Sequence, residues 1–199
     1  MKKEKTGVPG LYLRRLNITL PDIHRHRRLE NYLQLLYRHS GIAKTFSLFT
    51  NQILCSISHL SFVPAFLQTY TLCRFNELDQ INIDSMKSSL PFIIKSSKGS
   101  SEREIPALPD FRPKLLRNVD PSSMIFVISY DKYKCDISRA KQFIELPTIK
   151  NILDSTHIFR HLEASFKKSQ GFTNLQISKL MGHTSIKTTS KYIHEEFKF

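Results

Sequence analysis

Residues 154–194 read DSTHIFRHLEASFKKSQGFTNLQISKLMGHTSIKTTSKYIH, and the punctuation of this stretch predicts three consecutive helices. Asp154 or Ser155 supplies an N-cap oxygen for the first, which runs through His157 and Arg160 to about Gln170, where Gly171 stops it. Thr173-Asn174-Leu175-Gln176 fits a capping box, in which a hydroxyl and an amide each satisfy a free backbone N–H, and Gly182 closes the second helix. Ser185 then opens a last helix that holds Tyr192. His157 and Arg160 are three apart and share a helix face. His183 follows the Gly182 stop, and Tyr192 lies nine residues further on.

Working outward, the pattern upstream is mixed. The run HLSFVPAFLQTYTLC from His59 to Cys73 is apolar enough for a buried helix, with Pro64 tolerable near its first turn. Arg74 stands at its end, and Phe75 to Gln80 begins another helix. Ile81 to Asp84 alternates as a strand does. Leu90 to Lys95 (LPFIIK) and Glu102 to Ile105 bracket a polar Ser/Gly turn, Ser96 to Ser101, that carries Lys98. This predicts a small antiparallel sheet. The apolar MIFVI at 124–128 fits a strand or a buried helical segment equally well. Residues 1–40 read as a basic N-terminal arm with a short helical pattern at Leu29 to Tyr37, and 41–199 as the main domain. The expected class is α+β, mainly α, with a small antiparallel hairpin.

A single histidine on a helix is usually packing or surface, and one tyrosine of seven is usually core. The set Arg74, Lys98, His157, Arg160, His183 and Tyr192 is harder to dismiss, because each sits beside a signal that would aim it inward. Phosphodiester chemistry needs such a set. Its transition state spreads negative charge over non-bridging oxygens that planar guanidinium groups match with paired hydrogen bonds. A phenol with a pKa of about 10 is ionised only about one part in a thousand at neutral pH, so attack needs a proton acceptor, and His157 is the candidate. The leaving alkoxide needs a donor, a role suited to a hairpin lysine whose pKa is lowered by neighbours such as Lys95 and Arg103.

These segments resemble the catalytic domain of the tyrosine recombinase (phage integrase) family. TLCRFNEL at Thr71 to Leu78 is similar to that family's TGLRxSEL, and KGSSEREIP at Lys98 to Pro106 to its KGxKxRxVP. HIFRH at His157 to His161 matches HxLRH, while MGHTS at Met181 to Ser185, Thr188-Thr189 and Tyr192-Ile193-His194 match LGHxS, TT and YxH. The resemblance covers roughly residues 59 to 199. It implies Arg74 and Arg160 as a phosphate clamp, Glu77 as a supporting carboxylate, Lys98 as general acid with Lys95 as its rival, His157 as base, His183 as a further member, and Tyr192 as nucleophile. It also implies a 3′-phosphotyrosyl intermediate, no metal or other cofactor, and four protomers around two duplexes. The family's glycine two positions before the first arginine is Leu72 here, so a turn without a left-handed specialist is expected. Too few residues precede the catalytic region for the usual N-terminal DNA-clamping domain, and only seven follow Tyr192.

Composition points the same way. Lys and Arg number 30 against 17 Asp and Glu, a net charge of +13, which favours a polyanion such as double-stranded DNA. Arg25, Arg27, Arg28 and Arg103 are candidate DNA contacts. No run of about 18 apolar residues suggests a membrane span, and three scattered cysteines suggest neither disulfides nor zinc. A cytoplasmic, DNA-associated recombinase or integrase of a bacterium or mobile element is expected, with an organelle such as a plastid as the alternative. Self-association on DNA or an accessory partner protein is expected, and the competing readings are a truncated relic that binds DNA as an accessory protein and a nicking and closing enzyme similar to type IB topoisomerases.

Overall fold

In a computed structural model, residues 48–82, 84, 90–95, 101–106, 126, 128–143 and 155–194 are described. The N-terminal arm with Arg25, Arg27 and Arg28, the Leu29 to Tyr37 pattern and Lys98 lie outside the described residues.

Helix α1, Leu48–Ser56, places Thr50, Ile53 and Leu54, followed by Ile57, on one buried stripe. Helix α2, His59–Thr71, is buried on nearly every side from Ser61 to Thr69, as a helix inside a core must be. Pro64 lies in its second turn rather than its first, and removes one backbone donor there. The helix ends at Leu72, whose φ of 54° and ψ of 23° are left-handed. The turn is thus made without the left-handed specialist, as expected, and keeps the left-handed conformation, which a leucine adopts. Burial offers a reason, since Leu72 is fully covered in a small apolar cluster with Ala164, Ile177 and Met181.

Phe75–Gln80 forms a 3-10 helix. Of the alternating Ile81 to Asp84, Asn82 forms an isolated bridge and no strand develops among the described residues. The hairpin is present: β1, Phe92–Ile94, pairs antiparallel with β2, Arg103–Ile105, in the register Phe92 to Ile105, Ile93 to Glu104 and Ile94 to Arg103. Ile94, Arg103 and Ile105 face inward, while Ile93 and Glu104 face out. Phe126 and Ile128 of the ambiguous run are buried and belong to neither helix nor strand. Helix α3, Tyr130–Ala140, falls in the stretch after the apolar run, where its signals are local. Ser129 caps it by accepting from the Lys132 N–H, and Tyr133, Ile137 and Ala140 form its buried stripe.

The last three helices follow the opening stretch with two differences. A 3-10 turn at Ser155–His157 precedes α4, Ile158–Ser169, so the α-helix proper starts later than an Asp154 or Ser155 cap implies. Helix α5, Asn174–Met181, has the predicted capping box at Thr173 and Gln176 and ends at Gly182 with φ 69°. Helix α6, Ile186–Ser190, is short, so Tyr192 lies in the turn beyond it rather than within it.

Two apolar clusters hold these elements together. The larger joins α1, α2, the hairpin, α3 and the start of α4; the smaller joins Leu72, Ala164 and α5, with Tyr192 and Ile193 packed against it. Helix α4 belongs to both, with Ile158, Phe159 and Leu162 in the first and Ala164 in the second. Ile158, Phe159 and Leu162 each contribute roughly 1.5 to 3 kcal/mol of burial, which fixes α4 as the rod on which the candidate site is mounted. Among the described residues no helix is long and apolar enough to cross a membrane.

Candidate active site

Helix α4 carries His157 at its N-cap and Arg160 one turn on, and both point toward the turn that holds Tyr192. The Tyr192 hydroxyl lies 3.4 Å from Nδ1 of His157. The tyrosine ring stacks on His161 at 4.4 Å between centroids, tilts against His183 at 5.1 Å, and has the Arg160 guanidinium carbon 5.5 Å from its centre. The other described tyrosines nearby are engaged differently. Tyr133 is wholly buried and its hydroxyl donates to Gln68 Oε1, and burial pushes its pKa well above the ordinary phenol value. The Tyr130 hydroxyl lies 3.4 Å from Thr156 Oγ1.

Arg160 is 0% exposed. One terminal nitrogen donates to the Leu72 carbonyl, and the other reaches the Met181 carbonyl at 3.2 Å and Nε2 of His183 at 3.0 Å. A guanidinium has donors only, so Nε2 of His183 must accept, and its Nδ1 carries the hydrogen that points to Thr189 Oγ1 at 2.9 Å. His183 is thus neutral in one tautomer. Burial first, then the positive charges of Arg160, Arg74 and Arg103, hold its pKa down to about 4, with Glu77 offsetting only part. Burial likewise lowers Arg160 to about 10, which leaves it charged at neutral pH.

Glu77, fully buried, is the carboxylate beneath this group. Its Oε1 accepts from Arg74 Nη1 at 3.0 Å and its Oε2 accepts from the Arg74 backbone N–H at 2.8 Å and from Arg103 Nη2 at 2.6 Å. Arg74 remains partly exposed, with 22% of its side chain in solvent, beside a cavity of about 240 Å³ lined by Phe75, Asn76, Tyr130, Thr156 and His157. Arg103, a candidate DNA contact, is largely buried: it is 7% exposed, with Nη2 also 3.2 Å from Cys73 Sγ. The pleat explains this burial, because Ile105 faces inward and the residue two before it must do the same. Gly182 is required twice over, since it has φ 69° and a Cβ there would lie 2.6 Å from Arg103 Nη1.

The structure therefore brings together Arg74, Glu77, Arg103, His157, Arg160, His183 and Tyr192. It does not place Lys98, whose turn lies outside the described residues; Lys95 is exposed at the end of β1, with its backbone N–H on Gln80 Oε1 at 2.8 Å. The returning arm is tied in, because the Ser101 N–H donates to the Gly182 carbonyl at 2.9 Å, next to His183. Arg74 and Arg103 share the one carboxylate of Glu77, and Arg160 adds a third positive charge to the group, so positive charge is in surplus; Nε of Arg160 and both Nε and Nη1 of Arg103 are buried without a partner. Such a site suits a phosphate. Sequence reasoning assigned no role to His161, Ser165, Thr189 or His194, all of which contact this group.

No protein-family model matches the chain. It is similar to tyrosine recombinase XerC of Treponema denticola, with 25% identity over 152 residues covering 62% of this chain and 48% of that protein. The chain thus spans about half the length of the curated relative it matches. Among solved structures it is similar to the catalytic domain of bacteriophage HP1 integrase, at TM-score 0.53 and 20% identity over 74% of this chain and 84% of that one. It is also similar to XerA recombinase, at TM-score 0.55 and 16% identity over 94% of this chain and 85% of that one.

Proposed function

We propose that this chain, which carries the fold of the tyrosine recombinase catalytic domain, cleaves and rejoins DNA strands through a covalent bond between Tyr192 and a backbone phosphate. The observation that carries this reading is the Tyr192 hydroxyl 3.4 Å from His157 Nδ1, beside Arg74 and Arg160. In cleavage, Tyr192 Oη bonds to phosphorus as its proton passes to His157, and the bond from phosphorus to the 5′ oxygen breaks. Lys98, or failing it Lys95, protonates that oxygen. A 5′-hydroxyl of a partner strand then attacks the 3′-phosphotyrosyl bond and releases Tyr192. One phosphate ester is exchanged for another at each step, so the scheme balances without an external energy source.

The phosphate enters from the cavity beside Arg74 and His157, where a partly exposed guanidinium can fork two non-bridging oxygens. Neutral His183 orients Arg160 by accepting its hydrogen bond. Site-specific exchange between duplexes, with DNA integration as its outcome, and assembly of four protomers on DNA or with an accessory protein belong to the same proposal.

One observation favours a second reading, a DNA-binding relic that does not cut: Arg160 is wholly covered, with both terminal nitrogens on protein acceptors. A single experiment separates them. Nicked suicide duplexes drawn from the DNA flanking its own gene should trap a covalent protein–DNA band with the wild type. Tyr192→Phe should abolish the band while DNA binding stays nearly unchanged, because only the attacking oxygen is removed. Binding without any band from the wild type establishes the relic, and a band that survives in Tyr192→Phe means another nucleophile.

A further inference from the structure

We propose that His161, Ser165 and His194 form a clasp that positions Tyr192, an inference that rests on the strand-cleavage reading for its consequence and not for its geometry. Helix α6 ends at Ser190, and the backbone bonds beyond it are i to i−3 turns only: the Lys191 N–H to the Thr188 carbonyl at 3.3 Å, the Tyr192 N–H to the Thr189 carbonyl at 2.9 Å and a long Ile193 N–H to the Ser190 carbonyl at 3.4 Å. Helical structure alone therefore does not fix the nucleophile. The clasp supplies what is missing. Ser165 Oγ lies 3.2 Å from the Tyr192 carbonyl and 2.8 Å from the His161 carbonyl, and accepts the His194 N–H at 2.8 Å. The His194 ring returns to α4, its Nε2 2.9 Å from Nδ1 of His161, and the His161 ring stacks on Tyr192.

These contacts close a ring: α4 to the His161 ring, to the His194 ring, along the backbone to Tyr192, and through Ser165 back to α4. His157, Arg160, His161, Ala164 and Ser165 fall on one helical stripe, so the groups that would receive the phenol proton and the phosphate share a rod with the groups that hold the phenol. A positional error is consequently small, and reaction rates depend steeply on such errors: a misplacement of about 1 Å can cost on the order of a hundredfold. His161 and His194 are positioning residues. The reacting oxygen faces Nδ1 of His157 in this arrangement.

The test uses the full chain and the variants His194→Ala, His161→Phe and His194→Gln. Phenylalanine keeps the ring stack and loses the nitrogen; glutamine places a polar group near the position of Nε2. On the nicked duplex, His194→Ala and His161→Phe should bind DNA within about twofold of wild type yet form adduct roughly tenfold or more slowly, with His194→Gln recovering most of the rate. Without DNA, nitration of Tyr192 by tetranitromethane, read by peptide mass spectrometry, should rise several-fold in the first two variants and stay near wild type in the glutamine variant. Tyr133, buried, and Tyr130, exposed, are internal references.

Wild-type nitration and cleavage in His194→Ala would overturn the clasp, as would a glutamine variant as defective as alanine. Nitration of Tyr133 alongside Tyr192 would overturn it too, by showing that the pair holds the fold and not the nucleophile. If the wild type forms no adduct, the strand-cleavage reading fails, and the nitration comparison still decides whether the clasp exists.

Discussion

Arg74 and Arg160 share a residue type and differ in surroundings, so the same substitution should separate them. Arg74 is partly exposed and tied to Glu77; lysine there keeps the charge and loses the fork. Arg74→Lys should change stability by less than about 1 kcal/mol while slowing adduct formation by about a hundredfold. Arg160 is buried with donors on the Leu72 and Met181 carbonyls, and lysine cannot reach both. Arg160→Lys should therefore lose activity together with roughly 3 kcal/mol of stability. Denaturant unfolding alongside single-turnover cleavage checks both, and equal stability losses would contradict the burial difference. His183 gives a pH signature. Its folded pKa of about 4 lies below the ordinary 6.5, so the unfolded chain takes up the proton first as pH falls. The stabilisation is complete above pH 6.5, is lost progressively between 6.5 and about 4, and amounts to roughly 3 kcal/mol. Unfolding midpoints across that range should fall more steeply for wild type than for His183→Gln. At this scale the sequence was informative about residues in short motifs and silent about partners far along the chain. His161 and His194 were both visible inside HIFRH and YIH, but the bond between them spans 33 positions, and no local pattern encodes it.

Elements were legible where chain punctuation is chemical. The Thr173 box and the Gly182 stop are written in residue types that satisfy specific backbone groups, and α5 begins and ends at them. Helix α3 is less legible because its composition is polar; its stripe of Tyr133, Ile137 and Ala140 behind a Ser129 cap is readable only with attention to spacing. The burial of Arg103 is readable from its alternation with Ile105, although it is charged. Lys98, in the turn of that hairpin, remains an expectation. Leu72 is the most testable element boundary. A left-handed leucine costs about 1 to 2 kcal/mol relative to glycine, yet its buried side chain is worth about 2 to 5 kcal/mol when cut back. Leu72→Gly should thus be destabilised, but by about 1 kcal/mol less than Leu72→Ala, which loses the packing and keeps the strain. That order is the reverse of the one for a helix interior. Thermal midpoints of the two variants decide it, and alanine melting higher would mean that the turn relaxes out of the left-handed region.

At the scale of the molecule, a net charge of +13 on 199 residues sets the behaviour toward DNA. If about six to eight phosphates are neutralised, log K should fall with log salt at a slope of roughly −5 to −7. Titrations of one duplex at several salt concentrations measure this, and a slope shallower than about −2 would mean that the basic surface is not the binding surface. The site itself lies at the seam of two apolar clusters, where α4 is common to both, and there the interior holds Arg103 against Glu77, with the buried Arg160 guanidinium nearby on the Leu72 and Met181 carbonyls. That arrangement has an evolutionary consequence. Breaking one member of a buried charge group is costly, but replacing the whole group with well-packed apolar residues is often neutral or stabilising. A selection for thermostability alone, given many simultaneous changes, would tend to drive Arg160, Arg103 and Glu77 toward aliphatic side chains and so erase the site. Their retention beneath Tyr192 would then report a pressure other than folding, and a library sorted for stability and then for DNA cleavage should split into two populations at these three positions.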